Sequence, residues 1–290
     1  MKKIAIISGK GGSGKTTLVS NLAPIFENKV LADCDVDAPD LYIVLKPNIE
    51  KSGKFRGSDI AHIDNNLCIE CGRCIEVCRF DAISPSYVVD FSACEGCTFC
   101  EKVCPVNAIT MKERIAGDWY IGETRFGPMV YAKLNPGEEN SGKLVLLVRK
   151  QAEFLAISKG IEYILIDGPP GVGCPVTSSI TGVDFVVVVT EPTKSGIHDL
   201  DRVVRLVKKF NIKQSIVINK YNLNEDMTNE IEEYANKNLI SIIGKIPFEK
   251  TIVEALTKKL TLKEFAPNHS LNNMFFDIYK NIKEALYENL

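Results

Sequence analysis

Short apolar runs alternate along this chain with longer stretches of helical spacing. Ile4–Ile7 is an apolar run that closes on a glycine-rich turn, and Thr16–Phe26 follows with helical spacing interrupted at Pro24. Val30–Asp33 predicts a second strand, ending in acidic residues. The alternation resumes later: Tyr163–Asp167, Phe185–Val189, Ser215–Asn219 and Ile240–Ile246 predict strands, with helices at Leu200–Phe210 and Thr228–Lys237. Strand, helix, strand in series means an α/β fold whose parallel sheet is covered on both faces. Within Ser141–Lys159, Leu144–Val148 would suit a strand, but the length and charge spacing of the whole stretch favour a helix. Trp119–Leu134 predicts a hairpin with Gly127 and Pro128 near its turn. Leu271–Leu290 is amphipathic, with Met274, Phe275, Ile278 and Ile282 on one stripe. It mixes Lys280 and Lys283 with Asp277, Glu284 and Glu288, which predicts a packing helix and not a basic membrane-surface one.

The middle of the chain breaks this pattern. Residues 61–110 hold seven acidic and three basic residues and contain a repeat: CIECGRCIEVCRFDAI from Cys68 and CEGCTFCEKVCPVNAI from Cys94, offset by 26 positions. Repetition predicts two related halves about a pseudo-twofold axis. Residues 61–112 therefore form an insertion, and residues 1–60 and 113–290 form one discontinuous domain around it. Of ten cysteines, eight fall between Cys68 and Cys104. A reducing compartment disfavours disulfides, so such a cluster reads first as a metal site.

Composition narrows the remaining classes. At 45% apolar and 25% charged, the chain is ordinary globular material with enough apolar residues for a sizeable core. A net charge of −2 argues against nucleic acid or an anionic membrane as a partner. No apolar run reaches about 18 residues, so no transmembrane helix is expected. MKKIAIISGKGG has the lysines of a signal peptide but too short an apolar stretch, and a cytoplasmic protein is expected.

Gly9-Lys10-Gly11-Gly12-Ser13-Gly14-Lys15-Thr16 matches G-x-x-x-x-G-K-[ST] between a strand and a helix. Gly11, Gly12 and Gly14 let successive backbone N–H groups curl around phosphate oxygens, where side chains would obstruct, and Ser13 lies in the same phosphate-binding loop. The helix N-terminus adds positive potential. Lys15 neutralises the terminal phosphates, the Thr16 hydroxyl ligates Mg²⁺, and Thr17 completes the segment that contacts ATP. A glycine-rich turn that binds nothing would not need the full motif in this context. Asp167-Gly168-Pro169-Pro170-Gly171 ends an apolar strand. Asp167 there matches the acid that holds Mg²⁺ through water, with Gly171 in a segment that senses the terminal phosphate.

Each half of the cysteine repeat is C-x2-C-x2-C-x3-C: Cys68, Cys71, Cys74, Cys78 and Cys94, Cys97, Cys100, Cys104, with Pro105 completing the second. The run resembles that of bacterial ferredoxins, in which three cysteines grip one [4Fe–4S] cluster and the fourth reaches the other. The resemblance implies an α+β ferredoxin-like module with two [4Fe–4S] clusters. One is held by Cys68, Cys71, Cys74 and Cys104, the other by Cys94, Cys97, Cys100 and Cys78. Structural zinc sites use paired cysteines with a longer spacer and fit this spacing poorly. Arg79 stands where such ferredoxins carry proline. Two adjacent clusters make a short electron wire; a structural role is the alternative.

With GKGGSGKTT, DCDVDAPD, IDGPPGVGCPV, VTEPT, INKYNL and IPF, the chain resembles the MinD, ParA and nitrogenase iron protein superfamily of P-loop ATPases, in a form carrying an inserted ferredoxin domain. The resemblance implies a doubly wound parallel sheet and a homodimer with ATP at the interface. It makes Lys10 the signature lysine that reaches the partner chain's nucleotide. It assigns the attacking water to Asp35 and support of the magnesium shell to Asp37, while Asp40 is equally an acidic loop residue. Asn219, Lys220, Pro247 and Phe248 fall where the adenine is cradled. Cys174 is either a functional cysteine near the dimer axis or a small packing residue; Cys34 reads as buried. Thr190–Thr193, after the fourth apolar strand, lines a dimer face or forms a simple loop. His62, His198 and His269 share no ligand spacing. Three functions compete: ATP-gated electron delivery to a partner metalloprotein, metal-cluster assembly or carriage, and MinD-like positioning with structural clusters.

Overall fold

The computed structural model describes residues 1–138 and 142–287, so Ser141 and the last three residues of the Leu271–Leu290 stretch lie outside the described residues. Its strands are β1 (Lys2–Ser8), β2 (Lys29–Asp33), β3 (Asn48–Arg56), β4 (Ile60–Ile63), β5 (Ile109–Lys112), β6 (Ile115–Thr124), β7 (Gly127–Leu134), β8 (Tyr163–Pro170), β9 (Phe185–Thr190), β10 (Lys213–Asn219) and β11 (Ile242–Ile246). The chain forms two compact units. One comprises Met1–Ser52, Trp119–Lys133 and Asn140–Leu290; the other comprises Gly53–Asp118 and Leu134–Glu139.

The larger sheet has nine strands, ordered β11-β10-β9-β1-β8-β2-β7-β6-β3. β1 pairs in parallel with β8 and β9, β2 with β8 and β7, and β10 with β9 and β11. Ile4–Ile7 and Phe185–Val188 are fully buried. Strands covered on both faces carry continuous apolar runs, which is why these were legible as short uninterrupted blocks. Helices Lys15–Leu22, Lys143–Lys159, Cys174–Ile180, Lys194–Lys209, Glu225–Lys237 and Leu271–Tyr287 connect or cover the strands. The stretch that was ambiguous from Leu144 to Val148 is helix. β6 and β7 form the expected hairpin across Arg125-Phe126. Helix Leu271–Tyr287 buries Phe275, Ile278 and Ile282, and it packs so closely on β11 that a Cβ at Gly244 would meet Ile278 at 2.4 Å. No described helix is long and apolar enough to cross a membrane.

The second unit is wider than the cysteine run. It contains the antiparallel pair β4–β5, helices Arg73–Val77 and Phe99–Val103, and a bridge between Ile83 and Val89. The repeat is visible in its backbone. Ile63 pairs with Ile109, and Val89 pairs with Ile83, which are the same two positions moved by 26. Asp64 N–H donates to the Ala108 carbonyl at 2.8 Å, as Asp90 N–H does to Ala82 at 2.7 Å. Gly72 and Thr98, each just before a short helix, both have positive φ, 77° and 67°. Arg114 ties the unit's edge by an ion pair to Glu138 and a bond to the Phe91 carbonyl.

Candidate functional site

β1 ends at Ser8, and the chain curls through Gly9–Gly14 into helix Lys15–Leu22. Gly12 and Gly14 adopt φ of 76° and 98°, which L side chains resist. The loop is held from outside as well. Asn219 Nδ2 donates to the Ser13 carbonyl at 2.8 Å, and Lys220 Nζ to the Gly12 carbonyl at 3.1 Å. Ser8 Oγ donates to the Lys10 carbonyl at 2.7 Å. A Cβ at Gly14 would lie 2.1 Å from Asn219 Nδ2. Gly14→Ala is therefore expected to weaken ATP binding at least about tenfold, roughly 1.4 kcal/mol. Calorimetric titration with ATP checks this; wild-type affinity would refute it.

The loop opens on a cleft of about 440 Å³. Gly11, Gly12, Gly14, Lys15, Thr16 and Thr17 line one side, and Asp35, Asp37, Asp40, Pro169 and Pro170 line the other. Neighbouring strands bring these together: β2 pairs with β8 so that Asp33 lies opposite Asp167, at the carboxyl ends of the strands. Cys34 N–H donates to the Asp167 carbonyl at 2.8 Å. β8 continues past Asp167 to Pro170, and Gly171 N–H returns to the Ser8 carbonyl at 2.8 Å.

Asp167 is fully buried, and neither of its carboxylate oxygens has a hydrogen-bond partner among the described residues. Burial pushes its carboxyl up to about 7, opposed by Lys15 and by the nearby Thr16 hydroxyl and reinforced by Asp35 and Asp40. A buried carboxylate with unused lone pairs beside a hydroxyl and a lysine suits a hydrated divalent cation. Asp35 is raised to about 6, again chiefly by burial, with Lys15 lowering it and Asp37 raising it. Asp33 was not singled out from the sequence, yet it organises the loop. Its carboxylate accepts from Asp35 N–H at 3.3 Å and Leu41 N–H at 3.2 Å. Burial and the charge of Asp167 raise its carboxyl well above the ordinary range.

Lys10 does not line the cleft. Its ammonium pairs with Glu191 at 2.6 Å and donates to Thr193 Oγ1 and Ser195 Oγ at 3.2 and 3.1 Å. Glu191 also binds Lys220 at 2.9 Å. Burial alone would raise the Glu191 carboxyl, but the two lysines hold it below its usual value. The sequence placed Glu191 at the carboxyl edge of the sheet without showing that it gathers both lysines. Asn219 and Lys220 brace the phosphate loop in this state. Pro247 and Phe248 do not line the phosphate cleft; Phe248 is exposed, and its N–H donates to Asn222 Oδ1 at 2.6 Å. Cys174 is exposed and begins helix Cys174–Ile180. Buried Arg149 caps the far end of that helix, donating to the Ser178 and Thr181 carbonyls at 2.7 Å each. Cys34 is fully buried, and burial pushes its thiol far up.

In the second unit the cysteines surround two cavities. One is lined by Cys68, Cys71, Cys74 and Cys104, the other by Cys78, Cys94, Cys97 and Cys100. All eight are free thiols. The surroundings are apolar: Ala61, Ile63, Ile83 and Ile109 pack with Cys74 and Cys100. Burial pushes the Cys100 thiol up to about 11 and raises that of Cys74. Among the described residues, no three His, Cys, Asp or Glu side chains are arranged to hold a single metal ion. Four soft thiols lining each apolar cavity suit an iron–sulfur cluster.

A parallel sheet with a complete phosphate loop and a buried acid at the adjoining strand ends defines a P-loop nucleotide-binding protein. The chain belongs to the CobQ/CobB/MinD/ParA nucleotide binding domain family, whose model matches residues 4–262. It is a P-loop ATPase of the MinD/ParA type. An uncharacterized protein of Methanocaldococcus jannaschii is 35% identical over 287 residues, 98% of this chain and 97% of that one. An iron-sulfur cluster carrier protein of Pyrococcus furiosus is 24% identical, over 87% of this chain and 76% of its own length. The septum site-determining protein MinD of Pyrococcus horikoshii, complexed with Mg-ADP, shares the fold with a TM-score of 0.62 at 17% identity, covering 100% of this chain and 98% of that one.

Proposed function

We propose that this protein is an ATP-gated iron–sulfur ATPase that holds two [4Fe–4S] clusters and delivers electrons to a partner metalloprotein. One observation carries the reading. The eight cysteines sort three-plus-one into two cavities, in a chain that also has a complete phosphate-loop cleft. When bound, the clusters would supply one-electron storage.

In the nucleotide cleft, loop N–H groups bind the phosphates and Lys15 offsets their charge. Thr16 and Asp167 would hold Mg²⁺, with Asp37 supporting them, and the ion would offset charge on the phosphates. Asp35 orients the attacking water and accepts its proton on a carboxylate oxygen; a carboxyl raised to about 6 is suited to that exchange near neutral pH. Lys10 serves the nucleotide of a second copy of this chain, so the working form is a homodimer with ATP at the interface. Its tether to Glu191 keeps it off its own phosphates until the partner arrives. Asn219, Lys220, Pro247 and Phe248 receive the adenine after the loop contacts of Asn219 and Lys220 rearrange.

The test is anaerobic purification with iron and sulfide analysis, then spin-resonance spectra of the reduced protein with and without ATP. About eight iron atoms per chain, and an ATP-dependent rate of cluster oxidation by an added acceptor, are expected. Iron-free folded protein, or oxidation indifferent to ATP, would overturn the proposal. A second reading, iron–sulfur cluster carriage, is favoured by the carrier relative and by exposed Cys174. Loss of cluster transfer to an apo-protein in Cys174→Ser, with the eight-cysteine clusters intact, would select it.

A further inference from the structure

The internal repeat puts the two cysteine cavities in register, so their linings correspond position by position. A shift of 26 positions turns Cys71 into Cys97, Ala82 into Ala108 and Ile83 into Ile109. Most of the remaining lining matches in the same way. The charged positions do not. Arg73 lines the Cys68 cavity where Phe99 lines the other, and Ile69 lines the Cys68 cavity where Glu95 lines the other. Among the described residues, one cavity thus has a cation and no acid in its wall, and the other has an acid and no base. A third difference involves sulfur. Ala108 N–H donates to Cys104 Sγ at 3.2 Å, while among the described residues Cys78 Sγ accepts no such bond.

A cluster held by four thiolates is already negative, and reduction adds one more negative charge. A cation in the wall stabilises the reduced form, an acid opposes it, and an N–H donor to a ligand sulfur disperses the added charge. These three wall differences act in the same direction; Glu70, between Cys68 and Cys71 where the repeat has Gly96, lies outside the wall and acts the other way. We infer that the site of Cys68, Cys71, Cys74 and Cys104 is the electron sink of the pair, filled before the Cys94 site. The step is a single electron transfer from a low-potential one-electron donor: the donor is oxidised by one electron, one [4Fe–4S]²⁺ becomes [4Fe–4S]⁺, and no bond is made or broken. This rests on the two-cluster reading above. It deepens that reading by giving the pair a direction.

Arg73 and Glu95 are both exposed, so neither substitution removes core packing. The experiment is a reductive titration of the iron-loaded full chain with titanium(III) citrate, followed by spin resonance. Two unequal midpoints are expected in the wild type. Arg73→Gln should move the upper midpoint to more negative potential and leave the lower in place. Glu95→Gln should raise the lower and leave the upper. Both shifts should shrink at high ionic strength, because exposed charges are screened. A protein with about eight irons whose midpoints ignore both substitutions, or whose lower midpoint follows Arg73, overturns the assignment alone. A protein without iron overturns the two-cluster reading and this inference together.

Discussion

Stripping iron is expected to unfold the cysteine-bearing unit while the nucleotide-binding unit stays folded. The apolar cluster at the centre of that unit is six residues, Ala61, Ile63, Cys74, Ile83, Cys100 and Ile109, two of them candidate ligands; its other buried apolar residues are the small Ala82, Ala108 and Ala116. Four further cysteines pack against it. Its helices are five residues long and its paired strands four, well below what stands alone in water. With so little apolar material, bonds from iron to the thiolates would supply much of the folding free energy in the proposed two-cluster form. The nucleotide-binding unit has a core of its own, from Ile4 to Ile282, that contains no cysteine ligand. Amide hydrogen exchange after anaerobic chelation reads this directly. Protection should collapse from Ile60 to Lys112 and persist in β1, β8 and β9. Cys100→Ser should cost about half the iron, since each cavity has its own four thiols. Cys174→Ser should leave iron content unchanged, because Cys174 lines neither cavity. Retained protection throughout the stripped unit would show that its fold is independent of metal.

What was legible in the sequence follows from how each element is buried. β1, β8, β9 and β10 are central strands covered on both faces, so their apolar runs are continuous and their ends abrupt. β3 was invisible. Asn48–Arg56 lies at the sheet edge with most of its side chains exposed, so NIEKSGKFR has neither an apolar run nor an alternating face. The phosphate loop and the cysteine repeat were legible because their chemistry fixes residue types at fixed spacing. The roles of Asp33, Glu191 and Arg149 were not, because each depends on what another part of the chain brings near. Asp33 is one carboxylate among four in its segment until the structure shows two loop N–H groups directed at it. Glu191 becomes distinctive only through two lysines far from it in sequence. Arg149 sits in a mixed-charge helix, and only the packing of that helix against residues 174–181 explains why an arginine is buried there.

Asp167→Asn is expected to do two opposite things: remove Mg²⁺-dependent ATP hydrolysis and stabilise the nucleotide-free protein. The loss follows from geometry. Asp167 is the buried acid beside Thr16 and Lys15, and an amide offers a metal one neutral oxygen in place of a carboxylate; a fall of about a hundredfold or more in turnover is expected. The gain follows from the cost of keeping that carboxylate there. Its carboxyl is raised from 3.8 to about 7, mainly by burial. Between those values the folded chain binds a proton that the unfolded chain has lost, so stability falls as pH rises across the window, and above about 7 the whole cost is present. At about 1.4 kcal/mol per unit, the burden at pH 8 is a few kcal/mol. Asparagine carries no charge and avoids it. Without nucleotide or metal, the variant should melt above wild type at pH 8, and the difference should shrink towards pH 4.5, where the native carboxyl is already neutral. Adding Mg²⁺ and ATP should reverse the order, because only the wild type gains the cation's contribution. Thermal melts at the two pH values, with and without Mg-ATP, separate the possibilities. A variant that still hydrolyses ATP removes Asp167 from the metal site; one less stable than wild type at pH 8 shows that Lys15 outweighs the burial of the carboxylate.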